Sequence, residues 1–381
     1  IGMGSGVNVQ VALGLGAKDD KTVEKTIHTA FLICAAIGIV IGVFCILFAR
    51  PMLRALHTKS DLIDAAVLYL KIYALGMPAM AVYNFGNGVL SAKGDTKSPL
   101  IYLAVAGVLN IILNLIFVIG FHLAAAGVAI ASAIAQYVSM MLVMRNLFKR
   151  RDICRLQISK IQFHHDVAKG ILLMGIPTGL QNAIFALANL FVQRGVNYFY
   201  TIMVSGNAAA TNADAIIFNV MSAFYTGCAG FVSQNRGAGN RERMKKSYLV
   251  ALTYSFLIGL FLGACLFFGG RYFLRAFATD RAVIDAGMER IKIMAFAYSI
   301  SAFMDCTIAA SRGLGKSIGP MIIVMLGSCV FRIIWVYTIF AHFHTIPSLY
   351  LLYPFSWTLT AIAEIAYFIV QFRKVMPKSR I

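Results

Sequence analysis

Long apolar blocks, broken by short polar, basic or glycine-containing turns, run the length of the chain. A block such as TAFLICAAIGIVIGVFCILFA (29–49) shows neither the strict alternation of a half-buried strand nor the single apolar stripe of a surface helix. It is apolar all round, and about 20 such residues in a helix cross a bilayer. The blocks predict ten spans, at 29–49, 63–92, 99–121, 124–148, 168–194, 207–233, 247–269, 284–311, 317–342 and 346–372. A membrane barrel would need short alternating segments instead, so the pattern predicts an all-α integral membrane protein.

Composition agrees. Hydrophobic residues make up 60% of the 381 and charged residues 13%, against roughly half and a quarter in soluble domains. The net charge of +19 could be read as a nucleic-acid footprint, but its placement argues for membrane orientation. Most Lys and Arg fall in 16–28, 91–99, 145–170, 234–247, 312–316 and the tail after 372; the connections 121–124 and 342–347 hold none, and 271–292 is the exception with five. By the positive-inside rule the first set faces the cytoplasm, where it also meets anionic lipid headgroups. The expected partners are therefore membrane lipids and no nucleic acid. The seven cysteines are scattered without metal or disulfide spacing, and within spans a cysteine acts as a small hydrophobe.

The opening residues, IGMGSGVNVQVALGLG, have no initiator Met and no basic stretch of the kind a signal peptide carries. They read as the second half of a span. A repeat supports this. Shifting the chain by 221 positions brings Gly16-Ala17 onto Gly237-Ala238, Arg50 onto Arg271, LRA at 53–55 onto 274–276, IDA at 63–65 onto 284–286, Gly94 onto Gly315 and Pro99 onto Pro320, without a gap. Both copies of the glycine-containing turn fall on the basic side, so each repeat holds an even number of spans. Six fit the period. The halves are then parallel repeats about an axis along the membrane normal. The expectation is two six-helix lobes with the first helix and half of the second outside this chain: an N-terminal lobe at 1–148, a cytoplasmic basic linker at 149–167 and a C-terminal lobe at 168–381.

These repeats carry a family resemblance. VSQNRGAGNRERMKKS (232–247) and LGLGAKDDKTVEK (13–25), VLSAKGDTKSPL (89–100) with AASRGLGKSIGP (309–320), LNIILN (109–114), GVAIASAIAQ (127–136) and MGIPTGLQNAIFALANLFVQRGVN (174–197) resemble the MATE (multidrug and toxic compound extrusion) family. The resemblance covers essentially the whole chain. It implies two lobes around a V-shaped cavity and secondary antiport, in which amphipathic, often cationic organic compounds leave in exchange for protons or sodium ions. It also implies a monomer in the plasma (inner) membrane, with linker and C-terminus cytoplasmic, no cofactor beyond the coupling ion, and no enzymatic activity.

Ionisable and polar residues inside apolar spans are the candidates for function. Asp305, in FAYSISAFMDCTIAASRGLG, and Glu364, in SWTLTAIAEIAYFIVQF, are near mid-span and are the candidate ion-coupling carboxyls. Asn84 is the repeat partner of Asp305, and Arg312 lies two turns further along the same face. Asn189, Gln193 and Asn197 recur every fourth residue, and with Gln181 they form an amide stripe. Such a stripe suits either a substrate cavity or hydrogen bonds between helices. Some branches of the resembled family carry a glutamate on this helix, and no glutamate stands here between Asp166 and Asp214. Arg332, in VFRIIWVY, is expected to pair with Asp305 or Glu364 and to border the substrate cavity. Asp64, Asp214 and Asp285 read as helix-start carboxylates. His164-His165 reads as a solvated pair, and His342 and His344 as a helix-end cap or packing contact. Gly14, Gly16, Gly237 and Gly239 are expected to supply left-handed dihedrals at two cytoplasmic hinge turns. GLGK at 313–316 lacks the full spacing of a phosphate loop, and no metal site is expected. The alternative within transport is a lipid-linked saccharide flippase, which would call for several arginines inside spans. On sequence, only Arg332 and Arg194 meet that description.

Overall fold

The computed structural model describes residues 1–56 and 58–375; His57 and 376–381, the end of the basic tail with Lys378 and Arg380, lie outside the described residues. The regular elements among the described residues are all helices, with no strand among them. The helices are α1 (Gly2–Ala17), α2 (Asp20–Ala55), α3 (Ile63–Ala74), α4 (Met77–Ala92), α5 (Lys97–Gly120), α6 (Ala124–Lys149), α7 (His165–Val196), α8 (Thr201–Gly237), α9 (Arg241–Arg275), α10 (Arg281–Gly313), α11 (Ile318–Phe343) and α12 (Ile346–Val375). Nine of these are long and apolar enough to cross a membrane, and α3 with α4, bent by 43° across a short break, makes a tenth. The ten expected spans coincide with these elements. Many residues on the outer helix faces, among them Val40, Phe44 and Leu47 on α2 and Leu103 and Ile111 on α5, are apolar and exposed, as surfaces that meet lipid must be.

The chain divides into two compact units, Ile1–Gly175 and Ile176–Ile381. The division falls inside α7, next to Pro177, rather than in the 149–167 segment. Residues 150–164 and the first turns of α7 pack with the first unit. Its core joins Val7, Ile27, Phe85, Leu90, Val143 and Leu147 to Leu156 and Ile171. The segment is tied down further by His28. Its Nε2 accepts the Gln157 N–H at 3.1 Å, so its Nδ1 carries the proton donated to the Glu24 carbonyl at 2.8 Å. The His164 N–H donates to Thr29 Oγ1, the His164 ring also lies within hydrogen-bond range of that hydroxyl, and His165 meets Phe163 edge-on. His164 is thus anchored and partly buried, while His165 is exposed, as expected of a solvated residue.

In the second unit α10 is the central helix, packed against α8, α9 and α12. Each unit repeats the same local devices at the 221-residue spacing. Asp19 caps α2 by accepting the Thr22 N–H, and Asn240 caps α9 by accepting the Arg243 N–H. Arg50 pairs with Asp64, and Arg271 with Asp285 at 2.5 Å. Asp64, in the first turn of α3, therefore also holds a preceding basic side chain, whereas Asp285 lies past the first turn of α10, whose N-cap is Asp280, and its role is the ion pair.

One expectation about the hinge turns is corrected. Of the four glycines only Gly239 (φ 68°) is left-handed. Gly14, Gly16 and Gly237 are helical, and the left-handed position of the first turn, equivalent to Gly239, is taken by Lys18 (φ 55°). The Asp19 N–H closes that turn on the Gly14 carbonyl, as the Asn240 N–H does on Asn235. Gly14 is required for a different reason: a Cβ there would stand 2.7 Å from Val23 Cγ2.

Candidate functional site

The second unit concentrates the buried ionisable groups. Glu364 on α12 is 0% exposed, and neither carboxyl oxygen has a hydrogen-bond partner among the described residues. Asp305, on the neighbouring α10, is partly buried and likewise closes no hydrogen bond or ion pair among the described residues. Two arginines lie within electrostatic reach without making an ion pair: Arg312 of both carboxyls and Arg332 of Asp305. The Arg312 Nη2 donates instead to Gln181 Oε1 at 2.9 Å, and its Nε is buried without a partner.

The expected pairing of Arg332 with an acid is corrected. Arg332 is 2% exposed; its Nε donates to Ser356 Oγ at 3.3 Å and its Nη1 to Asn189 Oδ1 at 3.3 Å. Its guanidinium lies over the rings of Tyr353 (4.7 Å) and Phe185 (5.6 Å). Uncharged partners satisfy the geometry, and the aromatic faces supply the negative potential a carboxylate would have given.

The amide stripe on α7 does not act as one row. Gln181 bonds Arg312 and Asn189 bonds Arg332. Gln193 donates to Asn197 at 2.9 Å and receives a long bond from Asn207 on α8. In the first unit Asn84 turns back on its own helix, donating to the Met80 carbonyl at 2.7 Å.

Sequence reasoning missed the densest polar cluster. Asp214 is not a helix-start residue: α8 begins at Thr201, well before it. Its carboxylate accepts from Arg290 and from the Tyr298 hydroxyl. Arg290, 4% exposed, also donates to Asn207 Oδ1 and lies over the rings of Tyr350 and Tyr353. The Tyr350 hydroxyl closes the network on Asn207 at 2.9 Å. The signal was available. Arg290 stands four and seven residues before Met294 and Ala297, on the buried face of α10, although it falls in a stretch that reads as a basic loop. Arg290 and Arg312 thus join Arg332 as arginines inside helices of the second unit, more than the sequence indicated. His344, with φ 48°, ends a helix and stacks against Tyr198 at 4.7 Å, the packing role expected of it. Among the described residues no three His, Cys, Asp or Glu side chains come together as a metal site.

The sequence profile of the MatE family matches residues 1–116 and 177–338. The chain is similar to the probable multidrug resistance protein YpnP of Bacillus subtilis, 27% identical over 74% of this chain and 63% of that protein. It is similar to the FAD transporter of Shewanella oneidensis, 23% identical over 78% of this chain and 67% of that protein. A further relative, the probable multidrug resistance protein NorM of Thermotoga maritima, is 22% identical over 84% of this chain and 70% of that protein. The chain therefore spans about two thirds of the length of these relatives. Among solved structures, a MOP superfamily transporter from Pyrococcus furiosus, whose binding pocket is described as of reverse polarity, superimposes with a TM-score of 0.91 at 19% identity, over 98% of this chain and 84% of that one. An outward-facing multidrug resistance MATE transporter gives 0.90 at 19% identity, with the same coverage. At such identity the structures speak for the fold, and the profile match decides membership: the chain belongs to the MatE family of multi-pass membrane transporters.

Proposed function

We propose that the protein is a secondary antiporter that exports amphipathic, cationic organic compounds in exchange for protons or sodium ions. The observation that carries the reading is the Glu364 carboxyl, fully enclosed and without a hydrogen-bond partner, beside a second unpaired carboxyl at Asp305. A buried carboxylate without partners is among the most costly groups to leave charged, so such a site takes up a small cation. Loading and unloading that cation biases one arrangement of the two units over another only if its affinity differs between them. Rocking of the two units then carries substrate outward, and the MatE relatives named as multidrug resistance proteins support that direction. Asn84, Asn189, Gln193, Asn197, Gln181 and Arg332 are the proposed polar contributors to the substrate path. The turns before α2 and α9, the linker and the C-terminus face the cytoplasm, the membrane is the plasma (inner) membrane, and the protein works as a monomer. No cofactor beyond the coupling ion and no nucleic acid takes part.

The test is efflux of a fluorescent cationic dye from proteoliposomes holding the full-length protein, under an imposed proton gradient and then a sodium gradient. Efflux driven by one gradient and abolished by Asp305→Asn or Glu364→Gln is the expected result. Dye efflux indifferent to both gradients, or to both substitutions, would remove these carboxyls from the coupling. A second reading, a lipid-linked saccharide flippase, draws on Arg290, Arg312 and Arg332 inside helices. The Asp214 carboxylate neutralises the first of these, which favours the drug antiporter. Movement of a lipid-linked saccharide, with no movement of dye, would reverse that preference.

A further inference from the structure

We infer that Arg312 is a tethered counter-cation for the Glu364 site, parked on Gln181 while the site holds its coupling ion and released to the carboxylate when the ion leaves. The inference rests on the reading above that Glu364 carries the ion, and adds what replaces the ion in the empty state.

Three observations meet here. The Glu364 oxygens have no partner among the described residues, and the side chain has no exposure. Arg312 is electrostatically linked to Asp305 first and to Glu364 second, yet forms no ion pair with either among the described residues. Its guanidinium is only partly used: one Nη2 bond to Gln181 Oε1 at 2.9 Å, with the Nε buried and unpartnered. A guanidinium offers five N–H donors and a carboxylate about four acceptor positions, so both groups hold unused capacity that they could satisfy on each other. The other groups around Glu364 are Tyr367 on its own helix, Asp305 on α10 beside Arg312, and Tyr248 on α9, which stacks on Phe368 one turn away. Arg332 on α11 and Tyr225 on α8 act on Asp305. Among the described residues no other cation acts on Glu364. Arg312 is therefore the internal cation able to take the place of the ion.

The exchange balances. The ion leaves Glu364 for water, as a proton or as sodium. The carboxylate left behind pairs with the Arg312 guanidinium, and the Gln181 amide gives up its bond. Reloading runs these steps backwards. The buried net charge of the pair changes by the ion alone, and no bare carboxylate is stranded in either state. Arg312 is a positioning residue, since it acts through Glu364 and need not touch substrate.

The roles of Arg312 and Gln181 predict opposite effects. Removing the competing cation by Arg312→Gln makes Glu364 hold its ion more tightly. In a proton-coupled carrier the pH midpoint of efflux moves alkaline by about one unit; in a sodium-coupled one the half-saturating sodium concentration falls about tenfold. Removing the parking place by Gln181→Leu frees Arg312 toward Glu364 and moves the same midpoint the other way. Arg312→Lys keeps the charge and stays near wild type. The measurement is the pH and sodium dependence of dye efflux by full-length protein in proteoliposomes, on variants whose size-exclusion profile and Tm match the parent. Opposite shifts for the two variants support the inference. Identical profiles, or shifts of the same sign, overturn it. Should Arg312→Gln not fold, an acid shift in Gln181→Leu decides for the inference, and a parental profile in that variant decides against it. If Glu364→Gln leaves the ion dependence intact, the antiport site itself is misplaced, an outcome separate from any failure of Arg312.

Discussion

The guanidinium of Arg290 is held from two sides, one Nη donating to the Asp214 carboxylate and the other to the Asn207 amide oxygen. Because Arg290 is almost wholly enclosed, the pair behaves as a unit: removing one partner strands the other. Breaking a buried ion pair costs about 3 kcal/mol or more, whereas replacing both members can be close to neutral. Arg290→Met is therefore expected to lower the stability of the detergent-solubilised protein by about 3 kcal/mol. The double variant Arg290→Met with Asp214→Asn should recover more than half of it. Thermal unfolding of the two singles and the double gives the coupling directly, and additivity within about 0.5 kcal/mol would mean that the two side chains act independently.

The two units differ at an equivalent glycine. Gly263 on α9 packs on the Ala295 carbonyl of α10, and a Cβ there overlaps that oxygen; Gly42 on α2 meets the Ala74 carbonyl in the same way, but at 3.0 Å. Close backbone approach of this kind is how small residues join membrane helices. Alanine in a helix interior gains about 1 kcal/mol over glycine, while overpacking costs about 1–3 kcal/mol. Gly42→Ala should thus be nearly neutral and Gly263→Ala destabilising by about 1–2 kcal/mol. A Tm series on the two variants checks the order, and a larger loss at Gly42 would contradict it.

The 221-residue repeat is legible in the sequence because turn residues and charges recur in register even where the apolar residues between them drift. The Arg50–Asp64 and Arg271–Asp285 pairs and the caps at Asp19 and Asn240 occupy equivalent positions of that repeat, although the sequence marked Asp64 and Asp285 only as helix-start carboxylates. What the sequence could not give is which buried polar group meets which. Gln181 and Gln193 lie on one helix, yet Gln181 accepts from Arg312 on α10 while Gln193 donates to Asn197 one turn on in its own segment, because only the first meets a charged side chain of a neighbouring helix. Hydropathy also hid Arg290. A window average sees a basic stretch at 271–292, while the helical face that turns Arg290 inward is a matter of period. The left-handed position at Lys18 was hidden for a related reason: composition favours glycine there, but the turn demands only the dihedral, which a lysine can adopt at modest strain.

Arg332 tests whether charge or shape matters in the aromatic clamp. Its planar guanidinium lies over Tyr353 and Phe185 while donating to both Ser356 and Asn189. A lysine keeps the charge but cannot span both acceptors from a single nitrogen while lying flat on a ring. Arg332→Lys is expected to destabilise by about 1–2 kcal/mol, the loss of one hydrogen bond to a charged donor. Unfolding midpoints that match the parent would show that charge alone is needed.

The segment after α6 is clamped by a carboxylate whose protonation should release it. Asp152 accepts from Lys93, from Arg150 Nε at 3.1 Å and from the Cys154 N–H at 2.9 Å. Burial alone would raise its pKa, but the bonds from Lys93, Arg150 and the Cys154 amide outweigh burial and hold it below the ordinary carboxylate range. A depressed carboxylate contributes stability that is fully present above its unfolded pKa, about 4, and is lost as pH falls through the lower folded value. Hydrogen exchange of residues 152–157, corrected for intrinsic rates, should stay flat from about pH 5 to 8 and rise below about pH 4. Cys154 gives a second readout. Its thiol is buried and is pushed up to about 11 by burial first and the Asp152 charge second, so at neutral pH it is neither ionised nor accessible. In a variant keeping Cys154 as its single cysteine, maleimide labelling at pH 7.5 should be slow, and Asp152→Asn should speed it about tenfold or more by letting the segment open. Equal labelling rates in the two proteins would show that the His28–Gln157 and Thr29–His164 contacts hold the segment without Asp152.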